Sequence, residues 1–427
     1  MQVNLAINGG VRLTDRQFNS KPTLTKDDIG SAYDVLVSGC LSDYYGTPGP
    51  FFYGGPKVKQ LEHNWSALHN YKNGIAINSW TTGLVTCLKA CNIGYGDEVI
   101  CTPVTMSATA SSILECGAIP IFCDVDPITM NILPNEIRKA ITPRTKAIMV
   151  VHLFGLPADM KEISEIAVEN DLHIIEDAAH APLAKYQGTY VGGMGSIGGF
   201  SLNHHKHIHC GEGGIIVTNN PVLAERCRFI RNHGENALSQ SSILKDEFLI
   251  GSNYRLTELQ AAIALSQLKR LDLCIAHRNS IHKYLVANLA EFKGILTLPE
   301  IPSDRTHSFY CYPIFYNSEA LGIGRDDFIN AVNSEFPKAE KWDQIPLSPG
   351  YTKPLYTNPI YHHPAIDKSP FPILADYSAY YKNLYCNNAE HAVNNSLMLS
   401  PIVHEGNGID QINLFVLAVS KVASYYE

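Results

Sequence analysis

The sequence predicts an α/β domain with a mostly parallel central sheet, followed by a smaller α+β domain. Short β-rich runs alternate with stretches of helical spacing from about residue 74 to residue 220. Near-continuous apolar runs, such as AIMVV at 147–151, are typical of strands that are covered on both faces. After about residue 280 the pattern becomes mixed and rich in Pro and Tyr, which indicates a second, smaller unit.

Seven runs are predicted to be strands: 74–79, 98–103, 119–125, 146–153, 172–178, 198–203 and 214–219. Helical spacing predicts covering helices at 81–91, 135–140, 159–170 and 221–232. Residues 256–273 are predicted to form one long helix between the domains, because the AAIA core at 261–264 favours helix. We therefore expect a large domain with an N-terminal arm over 1–275 and a small domain over 276–427.

Three further segments carry weaker signals. A strand is predicted at 309–316, and a Pro-rich stretch follows at 346–372. The aromatic loop at 44–53 (YYGTPGPFFY) is too rich in Gly and Pro for a core helix. It is either a plain surface turn or a segment that folds over a site.

Composition excludes several classes of protein. The chain has 427 residues, 45% of them hydrophobic, and a net charge of −8 without a basic stripe, which argues against a nucleic-acid surface. No basic leader precedes an apolar core, and no window is apolar over membrane length, so we expect a cytoplasmic protein. The 11 cysteines form no C-x-x-C pair and are expected to be free thiols, with Cys210 interpreted as a small buried hydrophobe.

Polar side chains at strand ends are the first candidates for chemistry, because ligands of open α/β sheets collect at the carboxyl ends of the strands. Asp177 ends the apolar run at 172–178, and His180 follows three residues later. A buried carboxylate needs a cationic or hydrogen-bonding partner, and a protonated pyridine nitrogen would be one. A helix N-cap is the alternative interpretation of Asp177.

Lys206 stands on a glycine-rich turn before GEGG at 211–214. Burial near other cations would lower the pKa of such an amine and make it partly neutral, as bond formation with an aldehyde requires. Four histidines surround it in the sequence: His204, His205, His207 and His209. The alternatives are a solvated surface lysine, or a metal site in which His205, His207 and His209 share one strand face.

A possible anion site begins at the end of the run at 74–79. Ser79, Thr81 and Thr82 stand where a strand meets a helix start. Helix N-terminal amides and nearby hydroxyls bind phosphate readily. Simple N-capping explains one of these hydroxyls.

These sites occur within an ordered series of motifs that closely resembles the DegT/DnrJ/EryC1/StrS family of sugar aminotransferases. The motifs are GYGDEVI at 94–100, GAIPIFCDV at 117–125, ITPRTKAI at 141–148, VHLFG at 151–155, EDAAHA at 176–181, Lys206 with GEGG at 211–214, and GSNYRL at 251–256. The resemblance implies a fold-type-I, aspartate aminotransferase-like architecture that depends on pyridoxal 5′-phosphate (PLP). It also implies a seven-stranded mixed sheet, a small C-terminal α+β domain and a homodimer with shared active sites.

The resemblance assigns a role to each candidate residue. Lys206 looks like the lysine that holds PLP as a Schiff base and carries protons, Asp177 like the partner of the pyridine nitrogen, and His180 like the neighbour of the phenolic oxygen. The implied phosphate ligands are Thr81, Thr82, Ser201 and, from the other subunit, Asn253.

Three features depart from the family pattern. Trp80 stands where the family usually has glycine before the phosphate-binding threonine, and Met106 stands where an aromatic ring usually covers the cofactor. A polarizable thioether would cover that face instead. The third departure is the histidine-rich sequence around Lys206. Some dehydratase relatives replace the lysine itself with histidine, so its presence here favours transamination.

The implied reaction moves an amino group, with glutamate as donor, to a nucleotide-linked keto-hexose, a keto-sugar acid such as an oxidised octulosonate, or a keto-cyclitol. Surface-polysaccharide (lipopolysaccharide) or natural-product biosynthesis would use such a product. His233, His307 and the loop at 44–53 are candidates for sugar contacts. The alternatives are a PLP-dependent sugar dehydratase of the same family, or a His-rich metal-binding or regulatory protein on this fold.

Overall fold

The computed structural model describes residues 4–21, 24–244, 247–351, 353–362 and 377–427. Its strands are β1 (Asn73–Ile77), β2 (Glu98–Cys101), β3 (Ile119–Phe122), β4 (Thr145–Val151), β5 (His173–Asp177), β6 (Lys185–Tyr186), β7 (Thr189–Tyr190), β8 (Ile197–Ser201), β9 (Gly214–Thr218), β10 (Leu296–Thr297), β11 (Tyr312–Tyr316) and β12 (Leu397–Ser400). Its α-helices are α1 (Lys26–Ser38), α2 (Pro56–Leu68), α3 (Trp80–Ala90), α4 (Ala108–Glu115), α5 (Pro134–Ala140), α6 (Met160–Glu169), α7 (Pro221–Arg231), α8 (Glu258–Leu268), α9 (Leu271–Asn288), α10 (Ser318–Leu321), α11 (Arg325–Ser334), α12 (Ser378–Asn383), α13 (Asn387–His391) and α14 (Ile409–Tyr426).

The seven predicted strands form one sheet in the order β1-β9-β8-β5-β4-β2-β3. Strands β8, β5, β4, β2 and β3 are parallel to one another, whereas β9 runs antiparallel to both β1 and β8. The five residues of β9 are all buried, as are all but one of the seven residues of β4, which matches the apolar runs of the sequence. The predicted α/β fold with a seven-stranded mixed sheet is confirmed.

The prediction of one long helix over 256–273 is wrong. Helix α8 ends at Leu268, and α9 begins at Leu271. Arg270 leaves the helical conformation between them, and its guanidinium binds both carboxylate oxygens of Asp28 in α1 at 3.0 and 2.8 Å. This bidentate ion pair joins residues that are far apart in the sequence, so local helix propensity does not reveal it.

Two hydrophobic cores pack against the two larger of the three sheets in the described residues. The second core packs beneath the antiparallel sheet β10-β11-β12, and helix α9 passes between the cores, with Leu271 in the first and Leu285 in the second. Leu5 of the N-terminal arm packs in the second core, whereas Tyr381 of α12 packs in the first. The expected domain boundary at residue 275 falls within α9. A segment from each end of the chain packs in the core of the other predicted domain.

Two predictions for the C-terminal part need correction or restriction. The strand predicted at 309–316 begins only at Tyr312, because Phe309 has a left-handed backbone (φ 49°) and the chain turns there. Residue 352 and residues 363–372 of the Pro-rich stretch lie outside the described residues.

None of the helices in the described ranges is long and apolar enough to cross a membrane.

Candidate active site

A cavity of about 550 Å³ opens at the carboxyl ends of the parallel strands. Val151, Asp177 and Ser201 are the last residues of β4, β5 and β8, and all three line the cavity. Residues from the C-terminal part of the chain form the opposite wall, including Tyr310, Cys311, Ser348, Gly350, Tyr351 and Leu399. The sheet and the second unit therefore enclose one site between them, as expected for an open α/β sheet.

Lys206 lines this cavity on the turn that follows β8. Its Nζ lies 4.2 Å from the centre of the Tyr310 ring. Burial lowers the pKa of the Lys206 amine to about 8, although the carboxylate of Asp177 acts in the opposite direction. A substantial neutral fraction of the amine is thus present near physiological pH. Lys21 of the N-terminal arm donates a hydrogen bond to the Lys206 carbonyl oxygen, which ties the turn to the rest of the fold.

Asp177 is only 5% exposed and is held by three hydrogen bonds. The Trp80 indole N–H donates to Oδ1 at 2.7 Å, the Ala179 amide donates to Oδ1 at 3.2 Å, and the Thr109 hydroxyl donates to Oδ2 at 3.1 Å. The chain continues in a turn rather than a helix after β5, so the N-cap interpretation of Asp177 is wrong. A buried carboxylate with fixed donors at the cavity wall suits the recognition of a cationic ring nitrogen.

His180 is buried and faces the same cavity. Its ring stacks on Tyr310 with 4.1 Å between the ring centres and 5° between the planes. Burial and the nearby Lys206 amine lower the pKa of His180 well below its usual value, so the ring is neutral. Its Nδ1 is buried without a hydrogen-bond partner in the described part of the chain, and a polar ligand in the cavity would satisfy it.

The residues predicted to bind phosphate are placed differently from one another. Thr81 and Ser201 line the cavity, together with Ser79, which N-caps α3 by accepting from the Thr82 amide at 3.1 Å. The Thr82 hydroxyl donates to Asn78 Oδ1 at 2.6 Å and does not belong to the cavity lining. Its hydroxyl and amide are thus occupied in shaping the start of α3.

Met106 and Asn253 occupy contrasting positions. Met106 lines the cavity and is 59% exposed, so its thioether is free to lie over a flat ligand. Asn253 is exposed outside the lining of this cavity and forms an isolated antiparallel bridge with Asn232.

The histidines next to Lys206 do not share a strand face, because the segment between β8 and β9 folds as a turn. His205 lines the cavity, whereas His207 is buried elsewhere, with Nε2 2.8 Å from the Ser308 carbonyl oxygen. No group of three His, Cys, Asp or Glu side chains in the described ranges is placed to hold a metal ion. The interpretation that His205, His207 and His209 share one strand face and bind a metal ion is therefore wrong.

Cys210 is buried, and burial raises the pKa of its thiol to about 12.

The candidates for sugar contacts lie away from the cavity wall. His307 is buried and stacks on Phe309 at 3.7 Å, and His233 is paired with Glu235 at 3.8 Å. Neither they nor residues 44–53 line the cavity, so no contact among the described residues supports that expectation.

Several residues of the site were missed by sequence reasoning. Tyr310 lay inside a predicted strand, and no local pattern marks its contacts with His180 and Lys206. Trp80 stood out as a departure from the family pattern, but its bond to Asp177 spans 97 positions. No motif or spacing in the sequence marks Thr109 as a residue of the site. Two aromatic residues at the wall, Tyr351 and Trp342, come from a part of the sequence without regular spacing.

The sequence matches the model of the DegT/DnrJ/EryC1/StrS aminotransferase family over residues 47–388. The chain belongs to this family. It is therefore a PLP-dependent aminotransferase that acts on small-molecule sugar and amino-acid substrates. The expected cofactor and class of enzyme are confirmed.

Relatives and solved structures agree with this assignment. The aminotransferase is 34% identical over 342 residues to the spore coat polysaccharide biosynthesis protein SpsC of Bacillus subtilis, covering 78% of this chain and 85% of that protein. It is 38% identical over 280 residues to GDP-perosamine synthase of Caulobacter vibrioides, covering 66% and 74%. The structure of the aminotransferase from Psychrobacter cryohalolentis matches with a TM-score of 0.80 and 29% identity over 96% and 99% of the two chains. NtdA from Bacillus subtilis, with bound cofactor PMP, matches with a TM-score of 0.74 and 27% identity, covering 96% and 87%.

The residues at the cavity wall fit PLP. The Lys206 amine has a lowered pKa, the Asp177 carboxylate is rigidly held, and His180 Nδ1 has no hydrogen-bond partner among the residues that the structure describes. The N-terminus of α3 and the neighbouring hydroxyls can bind the phosphate group. An aldehyde, a pyridine nitrogen, a phenolic oxygen and a phosphate thus each have a chemically matched group at one cavity.

Proposed function

We propose that this aminotransferase moves the amino group of glutamate to the carbonyl carbon of a keto-sugar in two half-reactions. The observation that carries this proposal is the presence of the Lys206 amine, the Asp177 carboxylate and the neutral His180 ring at one cavity wall. Bound PLP supplies an electron sink for the bonds at the carbon that gains or loses nitrogen.

Lys206 is proposed to move the proton. With a pKa of about 8, its amine can accept a proton from a carbon atom and return it at the same pH. The Tyr310 ring lies 4.2 Å from Nζ and can stabilise the protonated form by a cation–π contact. One lysine can therefore act as base toward one carbon and then as acid toward the other within each half-reaction.

The remaining residues are proposed to hold the cofactor. Asp177 would keep the ring nitrogen protonated, and the unpartnered Nδ1 of His180 would bind the phenolic oxygen. Thr81, Ser201 and the amides of α3 would bind the phosphate, with Thr82 supporting that helix start and Met106 covering one ring face. Asn253 would reach the phosphate of a partner subunit, since it is exposed away from the cavity of its own chain. A homodimer with shared sites would follow.

A nucleotide-linked keto-hexose is the proposed acceptor, and a keto-sugar acid is the second choice. GDP-perosamine synthase and SpsC are named for a nucleotide-linked amino sugar and for polysaccharide biosynthesis. Trp342 and Tyr351 give the cavity wall apolar rings, and sugar rings pack on such surfaces. We place the reaction in the cytoplasm, in the biosynthesis of a surface polysaccharide such as lipopolysaccharide.

The test follows nitrogen from donor to product. Holoenzyme is incubated with ¹⁵N-glutamate and a panel of nucleotide-linked 3-keto and 4-keto hexoses and keto-sugar acids, and products are analysed by mass spectrometry. We expect one ¹⁵N in the sugar for each 2-oxoglutarate formed, and neither product with Lys206→Ala. Loss of water from the sugar without ¹⁵N incorporation would instead identify a dehydratase and refute the proposal.

A further inference from the structure

The indole of Trp80 occupies a slot that glycines leave open. A Cβ atom at Gly83 would lie 2.5 Å from Cε3 of Trp80, and one at Gly199 would lie 2.6 Å from Cζ3. A Cβ at Gly214 would lie 3.1 Å from the Trp80 backbone. Gly83 of α3 and Gly199 of β8 thus leave room for the indole ring, and Gly214 of β9 leaves room for the backbone that carries it. Trp80 is only 6% exposed but lines the active-site cavity.

The slot directs the indole N–H at Asp177. An ionised carboxylate has about four lone-pair positions for hydrogen bonds. Trp80 and the Ala179 amide use two of them on Oδ1, and Thr109 uses one on Oδ2. One position on Oδ2 thus remains for a further donor.

We propose that Trp80 is a positioning residue for PLP: its N–H fixes the Asp177 carboxylate so that Oδ2 receives the N–H of the cofactor ring. Without the bond to Trp80, the side chain of Asp177 would have one fewer restraint. It would also have a free lone pair on Oδ1 in addition to the one on Oδ2. The ring nitrogen would then meet a less ordered acceptor, and part of the binding free energy would be lost in ordering it. This inference concerns the cofactor and holds whichever sugar is aminated.

The test variant is Trp80→Phe, which keeps an aromatic ring but removes the indole N–H. Trp65→Phe is a matched control, because Trp65 is also buried and its Nε1 has no hydrogen-bond partner among the described residues. Both variants lose the same atoms, but only Trp80→Phe loses a hydrogen bond to Asp177. Apo-protein of each is titrated with PLP and with its 1-deaza analogue, in which carbon replaces the ring nitrogen.

We expect Trp80→Phe to bind PLP about tenfold more weakly than Trp65→Phe, because PLP binding must then order the Asp177 carboxylate that the indole N–H no longer holds. For the 1-deaza analogue, which cannot donate to Asp177, we expect equal affinities. A role in packing alone would weaken both ligands to the same extent, and that result would overturn the proposal. Equal PLP affinities of the two variants would overturn it as well.

A measurement on the wild-type chain covers the case in which Trp80→Phe does not fold. The three tryptophans are labelled with ¹⁵N, and the Trp80 indole signal is assigned by elimination with Trp65→Phe and Trp342→Phe. We expect this signal to shift when PLP binds and to shift differently with the 1-deaza analogue, while the Trp65 signal stays unchanged. Identical Trp80 shifts with both ligands would contradict the proposal.

Discussion

Replacing Lys206 with Met should change how the stability of the apo-protein depends on pH. Burial lowers the pKa of Lys206 from 10.5 to about 8 in the folded chain. Well below pH 8 the amine is protonated in both the folded and the unfolded chain, so the folded wild type bears the full cost of the buried charge. Between pH 8 and 10.5 only the unfolded chain keeps the proton, so the wild type gains stability as pH rises. The Met variant lacks this titration.

The size of the effect follows from that shift. At about 1.4 kcal/mol for each pKa unit, the wild type can gain at most about 3 kcal/mol in its free energy of unfolding as pH rises. Solvent access to the cavity reduces this gain to about 2 kcal/mol. For a chain of this length, with an entropy of unfolding of about 0.9 kcal/mol/K, the corresponding change in melting temperature is about 2 °C.

The assay is thermal unfolding of apo wild type and Lys206→Met between pH 7 and about pH 10.5. We expect the melting temperature of wild type to rise by about 2 °C relative to that of Lys206→Met over this range. The constant difference in hydrophobicity between Lys and Met cancels, since only the pH dependence is compared. A difference in melting temperature that does not vary with pH would refute the statement that burial depresses the pKa of Lys206.

Three other substitutions give separate tests. Gly199→Ala would place a Cβ atom 2.0 Å from the Ile215 carbonyl oxygen, so we expect a loss of about 1–3 kcal/mol of stability by denaturant unfolding; wild-type stability would show that β8 and β9 can separate. Lys21→Met removes the hydrogen bond to the Lys206 carbonyl, and we expect a several-fold lower kcat with one PLP per chain retained, whereas an unchanged kcat would show that the arm does not position the turn. Asp177→Asn removes the negative charge expected to face the ring nitrogen, so kcat should fall by about 10²-fold or more; near-normal kcat would exclude that role.

The sheet could be predicted because its strands are buried on both faces and therefore appear as continuous apolar runs. Strand β4 is the clearest case. Helices α1 and α2 were missed. In α1, Asp28 and Val35 are the only buried residues of the thirteen, so no apolar stripe marks it. The break between α8 and α9 was missed because a distant carboxylate, Asp28, binds Arg270.

The site was predictable where it consists of polar residues at strand ends. Asp177 and Ser201 end β5 and β8, and Lys206 follows on a glycine-rich turn. The missed part consists of contacts between distant segments, such as Tyr310 against His180. Such contacts depend on how the second unit packs over the sheet, which periodicity does not encode.

We propose that the Lys206 amine holds the cofactor at this cavity. Borohydride reduction of the holoenzyme would fix PLP permanently to the amine that binds it, and peptide mass spectrometry would locate the label. We expect one label per chain on Lys206 and no label in Lys206→Ala. A label on another lysine, or full incorporation in the Ala variant, would contradict the account.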